Sequence, residues 1–364
     1  MKILLLSDAN SPHTIKWAKS LYNMGVEIAI WSFNVPKEGI YDDTPGILIR
    51  SGGTPQSHTS IWAKFKYVTA LSSLKRFIKE FSPDIVHAHY ATSYGLLGRL
   101  SKFKPFVISV WGADVYDFPS KGSFFKWMVQ RNLNSADRVL STSEDMKRIT
   151  EKLTNKDIIV TPFGIDLNMF YRRSKARKSD RIVFGTIKTL EEKYGIRYMI
   201  KAYSIFRASF PDASSELLVV GGGSLEMELK TLANSLGIME ECRFLGSVPY
   251  SEVPLYHNEL DIAIFPSILD SESFGVAAVE ASASETPVIV SNVGGLPEVV
   301  EHGVTGIVVP PKDPYKLADA MAELYMSADK RSEMGKAGRN RVEKLYDLKM
   351  NVRQMIEIYN EVVK

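Results

Sequence analysis

The chain predicts an α/β protein built from two Rossmann-like domains, each an open parallel sheet wound with helices, and three observations lead there. Short apolar or β-branched runs alternate with amphipathic stretches along nearly all of the 364 residues, the rhythm of βαβ units. The runs form two series, separated by a charged stretch without apolar period, Tyr171 to Asp180 (YRRSKARKSD). The length suits two domains of about 150 residues, each able to bury its own core.

The first series runs Ile3 to Ser7, Glu27 to Ser32, Asp84 to His89, Phe106 to Val110 and Arg138 to Ser141. Its opening, Met1-Lys2-Ile3-Leu4-Leu5-Leu6, breaks at Ser7-Asp8, far short of a signal h-region or a spanning helix, and reads as a first buried strand. Thr161-Pro162-Phe163-Gly164-Ile165-Asp166 closes this half. A first domain over 1–168, a linker over 169–180 and a second domain over 181–348 follow. The second series is Arg181 to Thr186, Leu217 to Gly221, Arg243 to Leu245, Ile262 to Phe265, Val288 to Ser291 and Gly306 to Val309. A last helical segment, 349–364, lies beyond a helix ending near Tyr346. Ligands of such sheets bind outside the carboxyl ends of the strands, so a cleft between two facing domains is the expected site.

Composition bounds the function classes. With 45% hydrophobic and 24% charged residues the chain reads as globular, and its one cysteine, Cys242, excludes an intramolecular disulfide framework and fits a reducing cytoplasm. Net charge is only +3, but residues 1–170 carry 21 Lys/Arg against 15 Asp/Glu. Most of the excess lies between Trp62 and Lys104, with Trp62, Phe65, Tyr67 and Phe77 interleaved. Such a stretch is either a solvated helix face with its aromatics in the core or a peripheral contact with the inner face of an anionic membrane. Nucleic acid is not the expected partner, because no recognition motif accompanies the basic residues.

The chemistry concentrates in Asp270 to Pro287, DSESFGVAAVEASASETP, where Glu272 and Glu280 stand eight positions apart around Phe274-Gly275. A loop carrying Glu272 and a helix opening near Gly275 would bring Glu280 in about one and a half turns later. The helix start offers unpaired N–H groups and a positive dipole end to a diphosphate. The carboxylates would then accept hydrogen bonds from sugar and ribose hydroxyls.

These residues, with Thr286-Pro287-Val288 and the GGLPEVVEHGVTG segment after them, resemble the E-x7-E motif of the family 4 retaining glycosyltransferases, a likeness covering nearly the whole chain. The resemblance implies the GT-B fold, two Rossmann-like domains facing each other across a deep cleft, with the C-terminal segment 349–364 crossing back onto the first domain. It implies a retaining transfer from a nucleotide-diphosphate sugar, UDP-sugar favoured, to a glycan or lipid-linked acceptor in surface polysaccharide or glycolipid synthesis. In that reading Glu272 holds donor-sugar hydroxyls, Glu280 the ribose, and the Gly275 and Val276 amides the diphosphate, with Ser273 and Phe274 also among the donor-binding residues.

Two more segments of the second half fit. Gly221-Gly222-Gly223-Ser224 stands between an apolar strand and a helix, so backbone without Cβ could approach a phosphate or nucleoside; three glycines are also a flexible turn, but the resembling family has the same strand-glycine-helix setting, which implies donor contacts for Gly222 and Gly223. Lys188 and Lys193 follow the first strand of the second domain and are expected to oppose the charge growing on a departing diphosphate, about 2–4 kcal/mol each when desolvated. The family commonly has Arg then Lys here. Lys188 forgoes the two-pronged guanidinium contact.

In the first half, the loop after the first strand receives the acceptor in the enzymes this chain resembles, which makes Asn10, His13 and Thr14 acceptor candidates, beside capping for Ser11 or Thr14 and solvation for His13. His87 and His89 alternate along PDIVHAHY and share a face; His89, nearer the strand end, is the substrate candidate and His87 a core histidine. Trp111 stands where many family members have a histidine that contacts the donor near C6. Indole donates one hydrogen bond and accepts none, so that role is not carried over and a donor altered at C6 is expected. Asp114 matches the Gly-small-Asp pattern after it, a catalytic candidate or a turn cap. The sequence holds no Asp-x-Asp, H-E-x-x-H or cysteine cluster, so neither metal nor cofactor is expected. A nucleotide-sugar epimerase, a phosphorylase, or a non-catalytic binding subunit could share the fold.

Overall fold

The computed structural model describes residues 1–52, 62–173 and 181–364, with only the backbone described over 62–68. Most of the polar loop from Ser51 to Ser60, and residues 174–180 of the expected linker, lie outside the described residues. The chain divides into two compact units, Met1–Phe163 with Lys349–Lys364, and Gly164–Leu348.

Among the described residues the first unit is built on a seven-stranded parallel sheet: β1 (Lys2–Leu6), β2 (Glu27–Ser32), β3 (Leu48–Ser51), β4 (Ile85–His89), β5 (Phe106–Ser109), β6 (Arg138–Ser141) and β7 (Ile158–Val160), in the order β3-β2-β1-β4-β5-β6-β7. Its helices are α1 (Pro12–Asn23), α2 (Trp62–Phe81), α3 (Ser93–Ser101), α4 (Ser123–Ser135) and α5 (Glu144–Glu151). A strand covered on both faces needs no polar alternation, and β1 is KILLL with its four apolar residues fully buried. Pro12 opens α1, where a missing N–H costs nothing, and Trp17, Ala18 and Leu21 form its buried stripe. Ser143 caps α5, accepting from the Met146 N–H at 3.2 Å, with Glu144 and Asp145 in the first turn.

Two strands went unread in the sequence, β3 and β7. β3 is the half-exposed edge segment LIRS, and β7 only three residues long, so neither carries a period long enough to register.

Among the described residues the second unit holds a six-stranded parallel sheet, β8 (Ile182–Ile187), β9 (Ser215–Val220), β10 (Cys242–Gly246), β11 (Ile262–Phe265), β12 (Val288–Ser291) and β13 (Gly306–Val309), ordered β10-β9-β8-β11-β12-β13. Around it lie α6 (Ile196–Ser209), α7 (Glu226–Ser235), α8 (Val253–Glu259), α9 (Val276–Ala283), α10 (Leu296–Val299), α11 (Pro314–Met326) and α12 (Ala328–Leu345). Phe184, Phe206, Leu217, Val219, Ile264 and Met321 anchor its core. Asp313 caps α11 through the N–H groups of Tyr315 and Lys316. The front of the expected linker is docked: Phe170 is 1% exposed, and the Asn258 side chain joins the Tyr171 carbonyl to the Arg173 N–H. Residues 164–168, expected with the first domain, group with the second unit.

A final helix, α13 (Leu348–Val363), belongs from Lys349 onward to the first unit. Side chains alternate along β4, so Val86 and Ala88 join the core beneath α2, α3 and α4, while His87 turns to the other face. There its Nδ1 lies 2.7 Å from the Tyr359 hydroxyl of α13 and its Nε2 2.8 Å from Ser109 Oγ. Fully buried, the imidazole is held neutral, pushed from 6.5 down to about 3 by desolvation.

This sets the sign of a pH dependence. The unfolded chain takes up a proton on His87 below 6.5 while the native chain does not until about 3, so stability is complete above 6.5 and falls as the pH falls between these values. From about pH 7.5 to about pH 5 the unfolding free energy should drop by about 2 kcal/mol on account of this residue. His87→Gln, less stable overall, should show a flatter pH profile in urea titrations; a profile as steep as that of the unsubstituted protein would remove His87 as the cause.

Candidate active site

Both sheets reverse winding direction once, between β1 and β4 and between β8 and β11, the switch points where loops diverge and open sheets leave room for a ligand. In the second unit the residues after β8 and β11 meet there. Lys188 Nζ lies 3.1 Å from Glu272 Oε2 and 3.2 Å from Oε1, and Ser267 Oγ donates to Oε2 at 3.2 Å. The two side chains are only 16% and 8% exposed. Burial alone would lower the lysine pKa, but Glu272 and Tyr194 outweigh it and hold it above the ordinary value, so the ammonium stays protonated.

Lys193 reaches the same place by another route, donating to the Ser271 carbonyl at 3.3 Å. Both ammonium groups sit over the Tyr194 ring, Lys188 at 4.4 Å and Lys193 at 5.0 Å from its centroid. Tyr194 was not anticipated; nothing in a K-Y-G tripeptide marks the ring as a platform for two cations. Lys188 is paired with Glu272, and Lys193 brings a second positive charge to the same ring.

Gly275 begins α9 at φ +85°, a left-handed conformation that glycine adopts at little cost, and a Cβ there would stand 2.7 Å from a Leu296 methyl. The first turn of α9 has no acidic residue and no side-chain cap. Glu280, 5% exposed, receives a 2.7 Å hydrogen bond from the Tyr250 hydroxyl, and His257 Nε2 lies 3.6 Å from its other oxygen. Burial and the adjacent Glu280 push the Tyr250 phenol far up, so it remains a donor. Neither Tyr250 nor His257 belongs to a local motif with Glu280, and sequence spacing could not have paired them. Of the remaining residues in the segment, Ser273 and Val276 are half-buried. Phe274 is 3% exposed and packs edge-on against Tyr346 at 5.4 Å, so it anchors the loop in the core instead of facing a ligand.

The glycine loop has a structural cause. A Cβ on Gly221 would fall 1.9 Å from the Lys188 carbonyl, one on Gly223 2.5 Å from that of Leu190, and one on Gly222 2.6 Å from Ser247 Oγ. Close packing on the 188–190 segment already demands these glycines. The start of α7 is also occupied by acid: Glu191 accepts from Ser224 N–H at 3.0 Å and from its hydroxyl at 2.6 Å, which holds the carboxyl below its ordinary range. With Glu226 and Glu228 in the first turn as well, the start of α7 is acidic, whereas the start of α9 carries no acid.

At the switch point of the first unit, Ser7 Oγ lies 2.6 Å from Thr14 Oγ1 and 3.0 Å from His89 Nδ1. Thr14 is fully buried and spent on this contact, which withdraws it as an acceptor ligand. Asn10 is likewise committed, donating to the Val35 carbonyl and accepting from the Lys37 N–H, both at 2.8 Å. Half-buried His13 stacks on Phe163 at 4.1 Å and meets Trp111 edge-on. Trp111, 7% exposed, packs on His89 at 4.2 Å. Desolvation, with His87 beside it, holds the His89 imidazole well below its ordinary range. Asp114 is corrected from catalytic candidate to turn cap: it is 2% exposed and both oxygens are filled by the N–H groups of Ala91, Trp111 and Gly112. Burial raises its pKa against those three donors. Cys242 is inert, its thiol pushed up to about 12 by burial. Among the described residues no group of three or more His, Cys, Asp or Glu could hold a metal ion.

Residues 169–341 match the family described as "Glycosyl transferases group 1", and residues 2–143 the one described as "Glycosyl transferase 4-like". The GDP-mannose-dependent alpha-(1-6)-phosphatidylinositol monomannoside mannosyltransferase of Mycobacterium tuberculosis is 34% identical over 191 residues, 49% of each protein. In such alignments the chain spans about half the length of the curated relatives it matches. Sucrose-phosphate synthase from Thermosynechococcus elongatus superposes with a TM-score of 0.85 at 20% identity, covering 99% of this chain and 98% of that one. The Anabaena protein HepE, in complex with UDP, does so at 0.82 and 18%, covering 99% and 100%. At these identities the two structures establish the fold.

The Lys188–Glu272 pair makes a direct prediction. Lys188→Ala leaves a buried carboxylate unpaired and should lower the unfolding free energy by about 3 kcal/mol, whereas Lys188→Met with Glu272→Leu should recover most of that loss. Urea denaturation of the two variants checks it; equal stability of Lys188→Ala and the parent would mean that Glu272 does not depend on this cation.

Proposed function

Because the chain belongs to the family 4 glycosyltransferases of the GT-B fold, we propose that it is a retaining transferase that moves a sugar from a nucleotide-diphosphate sugar to a glycan or lipid-linked acceptor. The observation that carries this reading is the gathering of Lys188 and Lys193 on the Tyr194 ring, beside Glu272 and within the unit that contains the uncapped start of α9. A departing diphosphate gains charge as its bond to the anomeric carbon breaks. Two ammonium groups already in place stabilise that charge in the transition state more than in the ground state. Glu272 accepts from donor-sugar hydroxyls. Glu280, aimed by Tyr250, accepts from the ribose.

In the retaining step the acceptor oxygen bonds to the anomeric carbon on the face from which the phosphate oxygen leaves. The acceptor proton passes to that phosphate oxygen. A side-chain nucleophile is not needed for this balance. On the family resemblance the acceptor belongs with the first unit, where half-buried His13 lies against the buried rings of Trp111 and Phe163. A UDP-sugar is the favoured donor; HepE is a fold neighbour in complex with UDP, while the mycobacterial relative is named for GDP-mannose. Assembly of a surface polysaccharide or glycolipid is the setting this donor and acceptor suggest.

Thermal unfolding with UDP, GDP, ADP, dTDP and CMP, without added metal, should single out one nucleotide, which at about a hundredfold its Kd stabilises by about 2.7 kcal/mol. With sugars on that base, product should form only when an acceptor is present. Glu280→Ala should raise donor KM about tenfold, and Lys193→Ala should lower kcat about a hundredfold with a smaller change in KM. Binding of none of the five, or a donor altered without acceptor as an epimerase would do, would overturn the reading.

A further inference from the structure

The first unit carries an outer face that takes no part in its sheet or its aromatic cluster. On α4, Phe124 is 65% exposed and Trp127 47%, although both are large apolar side chains. The two rings stack with centroids 6.0 Å apart at 28°, and Phe124 meets Phe125 edge-on. The Arg131 guanidinium lies 5.4 Å from the Trp127 ring, and the Lys121 ammonium 5.6 Å from Phe118. Lys126 is exposed beside them, and the sequence from Phe118 to Ala136 contains no Asp or Glu. The other side of α4 buries Val129, Asn132 and Leu133. The helix therefore has one face in the core and one face of aromatics and cations in solvent.

We propose that α4 docks the first unit on an anionic bilayer surface, with Phe124 and Trp127 entering the headgroup boundary and Lys121, Lys126 and Arg131 meeting lipid phosphates. The chemistry selects that occupant. Indole and phenyl rings settle at the boundary between headgroups and acyl chains, and lysine and arginine stems can lie along apolar surface while their charges stay in water. An acid-free basic face is attracted by anionic lipid. A second copy of the chain is a poor occupant, since a self-complementary contact would set these cations against themselves. Helix α3 packs between α2 and α4, and α2 exposes Lys75, Arg76 and Lys79 with one acid, Glu80, which pairs with Arg50, so the net charge of neighbouring helices stays positive. The described part of the 62–104 stretch contributes charge only: Phe77 is 4% exposed, covered by Arg50, and Lys104 pairs with Asp137. Side chains of Trp62, Lys64, Phe65, Lys66 and Tyr67 lie outside the described residues. No described helix is long and apolar enough to cross a membrane, so the contact is a surface one.

Co-sedimentation with vesicles of phosphatidylcholine carrying about 30 mol% phosphatidylglycerol, without any sugar nucleotide, tests this apart from the transfer chemistry. The protein should bind these vesicles and bind about tenfold more weakly to pure phosphatidylcholine or in about 0.5 M salt. Phe124→Ser with Trp127→Ser should cut binding about tenfold at an unchanged midpoint of thermal unfolding, because both positions are exposed. Lys126→Glu with Arg131→Glu should abolish the preference for anionic lipid, while Trp127→Phe should retain most of the binding. No binding to the anionic vesicles, unchanged binding by either double variant, or a dimer in sedimentation equilibrium that the serine variant dissociates would each overturn the proposal.

Discussion

One lysine and one glutamate, buried together where the second sheet changes winding direction, set the terms for everything around them. Lys188 directly follows one strand and Glu272 lies in the loop after its neighbour, so their ion pair joins the two loops that must diverge at the switch point. Taking both charges out of water is costly, and mutual attraction alone does not offset it. The remaining cost falls on the surroundings. Ser267 donates to the carboxylate, Tyr194 faces the ammonium, and further loops pack closely around the pair.

That packing explains why glycines crowd this edge of the sheet. Gly195, Gly221, Gly223, Gly294 and Gly295 each bring backbone against the carbonyl of a neighbouring loop, at distances that a Cβ would reduce to between 1.9 and 2.5 Å. The 188–190, 221–225, 266–273 and 294–295 segments therefore interlock through their main chains. Gly295 N–H, for example, donates to the Glu272 carbonyl at 2.9 Å and fixes the residue whose carboxylate faces Lys188. A rigid main-chain frame lets a small set of side chains hold charge in a defined place, the condition under which preorganised groups act most strongly on a developing anion.

The sequence disclosed what is periodic or contiguous. Every strand of the second unit, and β1, β2, β4, β5 and β6 of the first, could be read from apolar runs, and Glu272, Gly275 and Glu280 from one short segment. What it hid was paired across distance. Tyr250 stands 30 residues from Glu280, and Tyr359 stands 272 from His87. No local pattern links such partners, because the sheet and helix packing alone bring them together. The same blindness works in the other direction. Asp114 and Thr14 look like free polar groups in a loop, but the backbone donors of Ala91, Trp111 and Gly112 consume one and Ser7 the other.

The three-glycine loop shows how the physical account changes a functional one. By composition alone it invites an anion, since it combines backbone freedom with a helix start. Yet Glu191, fully exposed and free to choose its partners, has settled on Ser224, and α7 continues with two more acids. A diphosphate brought there would meet carboxylate before it met amide. At α9 the balance is reversed: an uncapped helix start, no acid in its first turn, and two lysines gathered on one ring in the same unit. Electrostatics thus separates two helix starts that look alike in sequence, while the glycines let one loop lie close upon another.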